Sequence, residues 1–184
     1  MYAQKHRVVS RNDVSSIIER HLLPSFYFVS EIKKSLRDNQ NILDLGSGAG
    51  FPAIVISLCF NQNHTTMIDS IRKKTLFLSK IVSMNTLNAK VINSRLEEFI
   101  AQSKIHFPIL TARALADLDT LIKWTYPLLK KGAELHTLKG YNFREEISET
   151  GNLEIDARPI MSNWIDRSKD LANKMYIRLR LKDV

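Results

Sequence analysis

Apolar residues recur along this chain with two different spacings, and the change from one to the other lays out its elements. The first 40 residues carry a helical, amphipathic pattern, "VSSIIERHLLPSFYFVSEIKKSL". Asn12 and Asp13 are candidate caps ahead of it, and Pro24 marks a break or a new helix start. From residue 41 the spacing changes. Short runs rich in Ile, Leu, Val and Thr, "NILDL" (41–45), "TTMID" (65–69), "AKVIN" (89–93), "PILTA" (108–112) and "AELHTL" (133–138), read as strands. Helix-length patterns separate them: "PAIVISLCF", "RKKTLFLSKIVSMN", "LEEFIAQ" and "LADLDTLIKWTYPLL". In the second of these, Phe77, Leu78, Ile81 and Val82 share a face, while Lys73, Lys74 and Lys80 lie largely off it. Strands alternating with helices predict an α/β fold with a doubly wound parallel sheet. The last segment differs: "KMYIRLRLK" alternates Met175, Ile177, Leu179 and Leu181 against Tyr176, Arg178, Arg180 and Lys182. That is a half-buried strand, expected to pair antiparallel with "EIDARPIM" (154–161) at the sheet edge. The expected organisation is an N-terminal helical extension over 1–40 and a single globular unit over 41–184.

Composition adds a partner class. The 184 residues suit one domain, with 44% hydrophobic and 25% charged residues. A net charge of +8 points to an anionic partner, nucleic acid before membrane. A lone cysteine, Cys59, excludes an internal disulfide and a thiolate metal cluster, and its apolar surroundings "AIVISLCF" suggest a buried thiol. The opening residues show no signal core and no run approaches the roughly 20 apolar residues of a membrane span, so a soluble cytoplasmic monomer is expected. His6, His21, His64, His106 and His136 lack metal-ligand spacing, and no metal is expected.

The chemistry concentrates in "NILDLGSGAGFP", residues 41–52, where Gly46, Gly48 and Gly50 follow the first strand. In a parallel sheet that loop lies at the ligand-binding edge. Two readings compete. "GAGFPA" fits a G-x-G-x-x-A dinucleotide fingerprint with Asp69 about twenty residues on, whereas "DLGSGAG" fits the D-x-G-x-G-x-G loop of S-adenosylmethionine-dependent methyltransferases. Asp44 at the strand end would repel a pyrophosphate and attract the ammonium and sulfonium of S-adenosylmethionine, which favours the methyl donor. Asp69, ending the second strand, can accept both ribose hydroxyls under either reading.

The motifs "RHLLPS", "ILDLGSGAGFP", "MIDSIRKKTLFLSKI", "NSRLEEF", "TARALADL" and "LKG" occur in this order. In them the chain resembles the bacterial small-subunit ribosomal RNA guanine-N7 methyltransferases, the glucose-inhibited division protein B family, from about residue 5 to residue 140. It departs from the family's usual pattern at Pro24, where aspartate is usual, at Ala53, where glycine is usual, and in a short N-terminal extension. The resemblance implies a class I S-adenosylmethionine-dependent methyltransferase fold of seven strands, with the five parallel strands and the C-terminal antiparallel pair accounting for them. It implies that Gly46 and Phe51 line the donor site, that Leu96 and Glu97 flank the adenine, and that Arg113 faces donor and incoming RNA. The implied cofactor is S-adenosylmethionine and the implied partner is 16S ribosomal RNA or the small ribosomal subunit.

Guanine N7 has no proton at neutral pH, so its lone pair can attack the methyl sulfonium without a general base. Consistent with this, no catalytic Ser-His-Asp, Cys-His or paired-carboxylate constellation stands out. Arg72, Lys73 and Lys74 follow the second strand, and Arg95, Arg113 and Lys139 follow the third, fourth and fifth. These form a rim able to grip phosphates, with Arg113 or Lys139 reaching the base edge. Phe51 and Phe143 are candidates for stacking, with core packing as the alternative. A methyltransferase acting on a small molecule or another RNA, and an NAD-dependent oxidoreductase, remain as alternatives.

Overall fold

The computed structural model describes residues 15–148, 151–166 and 168–182; the candidate caps Asn12 and Asp13 lie outside them. After a π-helical turn, Ile18–Leu22, the chain continues directly into α1 (Leu23–Ile32). Pro24 sits in the first turn of α1, where a missing backbone N–H costs little. The alternation then runs β1 (Asn41–Leu45), α2 (Ala53–Cys59), β2 (His64–Asp69), α3 (Arg72–Met84), β3 (Ala89–Asn93), α4 (Leu96–Gln102), β4 (Ile109–Arg113), α5 (Leu118–Leu129) and β5 (Glu134–Gly140). A 3₁₀ turn, Phe143–Glu146, follows; then come β6 (Leu153–Pro159), α6 (Ser162–Ile165), a second 3₁₀ turn (Lys169–Leu171) and β7 (Lys174–Leu181).

All seven strands form one sheet in the order β3-β2-β1-β4-β5-β7-β6. The first five are parallel, and β7 lies antiparallel between β5 and β6. The order reverses between β1 and β4, which puts the ligand crevice beyond their carboxyl ends. Period-two alternation sends neighbouring residues of β1 to opposite faces. Leu43 and Leu45 join a core under α4 and α5 with Leu110, Ala112, Leu121 and Leu135. Ile42 joins the opposite core with Tyr27, Phe28 and Ile32 of α1, Ile56 of α2 and Tyr176 of β7. In that second core His136 is fully buried, its Nδ1 against the Tyr176 hydroxyl, and burial lowers its pKa, so it stands as a neutral packing residue.

Cys59 corrects an expectation. It is exposed, because α2 buries Ala53, Val55 and Ile56 while its last turn rotates Leu58 and Cys59 towards solvent. Partial burial still raises the thiol's pKa, which opposes thiolate formation and reactivity. Among the described residues no helix is long and apolar enough to cross a membrane, and no cluster of three metal-ligating side chains occurs.

Candidate functional site

The loop leaving β1 turns through three left-handed residues, Gly46 (φ 64°), Gly48 (φ 57°) and Gly50 (φ 97°). Glycine adopts that region without a Cβ clash, which is why the loop is built from it. Backbone bonds tie it down: Ser47 N donates to Ile68 O at 2.8 Å and Gly50 N to Ser47 O at 2.7 Å. The third tie comes from Asp69 at the end of β2. Its Oδ2 accepts from Gly48 N at 2.9 Å and its Oδ1 from Ile71 N at 2.8 Å. Asp69 therefore clamps the glycine loop to the entry of α3. Each carboxylate oxygen keeps a further lone pair for a ligand hydroxyl.

Beside this clamp lies a groove of about 300 Å³ lined by Gly46, Asp69, Leu96, Glu97, Leu115 and Trp124 among others. The volume suits a nucleoside-sized guest. One wall is apolar, the other carries Asp69 with Lys74 Nζ at 3.6 Å. Gly46, Asp69, Leu96 and Glu97, singled out by the sequence, thus come together in one place. Leu115 and Trp124 were not foreseen: a tryptophan in an amphipathic helix carries the signal of a core residue, and only the approach of α5 to α4 turns it towards the groove.

Lys74 and Arg95 line the groove as well; the remaining sequence candidates lie elsewhere. Asp44, expected beside the ligand, is 1% exposed and does not line the groove. Alternation along β1 places it on the face of Ile42, opposite Leu43 and Leu45, where Thr111 Oγ1 donates to its Oδ1 at 2.5 Å. Its Oδ2 has no hydrogen-bond partner. Gly48 and Gly50 shape the loop but do not line the groove. Phe51 packs its ring on His21, centroids 5.2 Å apart, and Phe143 is buried in the core. Arg113 turns to the N-terminal turn, its Nη2 donating to Arg20 O and lying 3.5 Å from Asp170 Oδ2. Lys139 Nζ donates to Ala116 O and Glu146 Oε2, both at 2.6 Å. Arg72 and Lys73 project into solvent from the start of α3, and Arg95 is exposed at the groove rim.

Burial pushes the Asp44 carboxyl up to about 6, against the lowering pull of Thr111 and Ser47. A folded pKa above the unfolded one means the native state holds a proton that the unfolded chain has released. Stability is then complete below the ordinary carboxylate range and falls as pH rises towards and through about 6. Asp44→Asn removes that penalty, up to roughly 3 kcal/mol by linkage. The unliganded variant is expected to melt higher than the parent at pH 7.5 and no higher at pH 4; an equal change at both pH values refutes the assignment.

Residues 2–160 match the family described as "GidB: rRNA small subunit methyltransferase G". A ribosomal RNA small subunit methyltransferase G of Thermobifida fusca (strain YX) is 31% identical over 159 residues, 86% of this chain and 65% of that protein. The chain spans about three fifths of the length of the curated relatives it matches. Among solved structures, an rRNA methylase from Streptococcus thermophilus is similar with a TM-score of 0.61 at 10% identity, over 84% of this chain and 93% of its own. A coclaurine N-methyltransferase bound to N-methylheliamine and S-adenosylhomocysteine matches at TM-score 0.60 and 9% identity, over 85% of this chain and 70% of its own. At such identities the shared property is the fold, that of the class I methyltransferases.

Proposed function

Since this chain belongs to the rRNA small subunit methyltransferase G family, we propose that it transfers the methyl group of S-adenosylmethionine to N7 of a guanine in 16S ribosomal RNA. One observation carries the donor half of this reading: Asp69, which lines the groove, accepts from Gly48 N of the glycine loop and from Ile71 N at the entry of α3, and each of its oxygens keeps a further lone pair. When bound, S-adenosylmethionine supplies a methyl group on a positively charged sulfur, open to displacement by a lone pair. The chain's part is to place it. Asp69 would accept the ribose hydroxyls, Leu96 and Glu97 at the start of α4 would flank the adenine, and Leu115 and Trp124 would complete the apolar wall. The Asp69 carboxylate, with Lys74 Nζ 3.6 Å away, offers acceptor oxygens to the hydroxyls of an uncharged ribose. N7 attack needs no proton removed, so positioning and charge tolerance suffice, and no side chain is assigned as general base.

The base edge of N7 lies in the major groove, which is too deep and narrow to read in A-form RNA, so the target guanine is expected in a loop or a splayed conformation. Arg113 and Lys139 are committed to carbonyls and carboxylates inside the protein. Phosphate contacts therefore fall to Arg95 at the groove rim and to Arg72 and Lys73, exposed at the start of α3. Removing the charges of Arg72 and Lys73 together is expected to flatten the salt dependence of RNA binding, by a slope of about 0.7–0.9 per lost contact. Affinity for the donor stays near the parent's. An unchanged slope makes these two side chains a solvated helix face only.

The function is tested by transfer of a labelled methyl group to ribosomal RNA and to small subunits, followed by mapping of the labelled base. Label at guanine N7 is the expected result. Label confined to metabolite pools would make this a small-molecule methyltransferase, and binding of NADH but not S-adenosylhomocysteine would make the groove a dinucleotide site.

A further inference from the structure

The segment joining β4 to α5 forms the groove's apolar wall, yet it is not held by the groove. Ala114 adopts a left-handed conformation, φ 53°, which a side chain disfavours and which persists only where neighbours hold it. Leu115 next to it lines the groove and packs on Gly46, closely enough that a Cβ there would overlap its Cδ1. Two ties hold the adjoining backbone, one from β5 and one from the 3₁₀ turn that follows it. Lys139 Nζ donates to Ala116 O at 2.6 Å, and Leu118 N donates to Glu146 Oε2 at 2.8 Å. The same Glu146 oxygen accepts from Lys139 Nζ at 2.6 Å. Glu146 itself ends a 3₁₀ turn anchored by buried Phe143. Neither Lys139 nor Glu146 lines the groove.

We infer that Glu146, through Lys139 and the Leu118 amide, is the positioning residue that sets the groove's apolar wall and thereby the affinity for the donor. The inference rests on the donor reading above. One carboxylate oxygen joins the head of α5 to the side chain gripping Ala116, so the residues between cannot relax independently. Charge-assisted bonds of this length suit that purpose. Without them the left-handed Ala114 loses two of the ties that oppose its return to an ordinary backbone conformation, and Leu115 moves with it.

The test compares Glu146→Ala and Glu146→Gln with the parent. The glutamine keeps a carbonyl oxygen for Leu118 N and loses only the charge facing Lys139, so it retains the fold and its effect is expected to fall between parent and alanine. Two readings are taken: amide hydrogen exchange over residues 114–118 without ligand, and calorimetric affinity for S-adenosylhomocysteine. Glu146→Ala is expected to exchange faster there and to bind about tenfold or more weakly, as the loss of a charged hydrogen bond implies. In turnover, KM for the donor rises while the rate at saturating donor and RNA holds. Parent-like exchange in Glu146→Ala overturns the positioning role, and faster exchange with parent-like affinity overturns the link to the donor. A parent protein that binds no S-adenosylhomocysteine overturns the donor reading itself, while exchange still decides whether Glu146 holds the wall.

Discussion

Asp69→Ala is expected to lower affinity for S-adenosylhomocysteine by about 10- to 150-fold, the equivalent of 1.5–3 kcal/mol for hydrogen bonds to a charged group. Two effects combine. The ribose loses its acceptor, and Gly48 N and Ile71 N lose the carboxylate that joins the glycine loop to α3. Asp69 is 6% exposed, so water replaces it poorly at those amides. Asp69→Asn retains one acceptor oxygen and is expected to recover part of the loss. Calorimetry on both variants decides the matter: unaltered affinity in Asp69→Ala removes Asp69 from the donor site, whatever it does for the loop.

The largest effect on stability is expected from Gly50→Ala. Gly50 is buried at φ 97°. A Cβ there would overlap Ile54 Cδ1 and lie 2.7 Å from Ile54 Cγ1 and 2.9 Å from Leu78 Cδ2. Backbone strain and overpacking each cost about 1–3 kcal/mol, together roughly 2–6 kcal/mol. For a chain of this size the melting temperature then falls by roughly 4–24 °C. Gly48→Ala supplies the control. Its nearest neighbour would be Gly46 O at 3.7 Å, so only the left-handed backbone is penalised, by about 1–2 kcal/mol. Equal losses in the two variants would show that crowding under α2 and α3 contributes nothing.

Much of the site was legible because it is built from features that are local in the chain. The glycine spacing of 46, 48 and 50 reports a turn whose left-handed conformations only glycine adopts freely. Asp69 ends a strand, and in a parallel sheet every such end reaches the same edge; Leu96 and Glu97 were implied by the family resemblance and not by a local pattern. Asp44 shows where reading by position alone falls short. It does stand near the end of β1, but alternation turns its buried carboxyl to Thr111 rather than into the groove.

Arg113 and Lys139 show a different limit. Both were legible as cations on the functional edge, and both are engaged by groups far away in sequence: Arg20 and Asp170 for the first, Ala116 and Glu146 for the second. Charge is a property of the residue; its partner is a property of the folded chain. By itself the sequence determined the five parallel strands, the antiparallel pair and the glycine loop, because apolar runs, period-two alternation and glycine backbone freedom act over a few residues. Only the tertiary structure decided which cations remain exposed, that Trp124 and Leu115 wall the groove, and that Cys59 faces solvent. Those outcomes depend on how helices pack across the sheet, where the contacting residues stand tens of positions apart and no local pattern records their meeting.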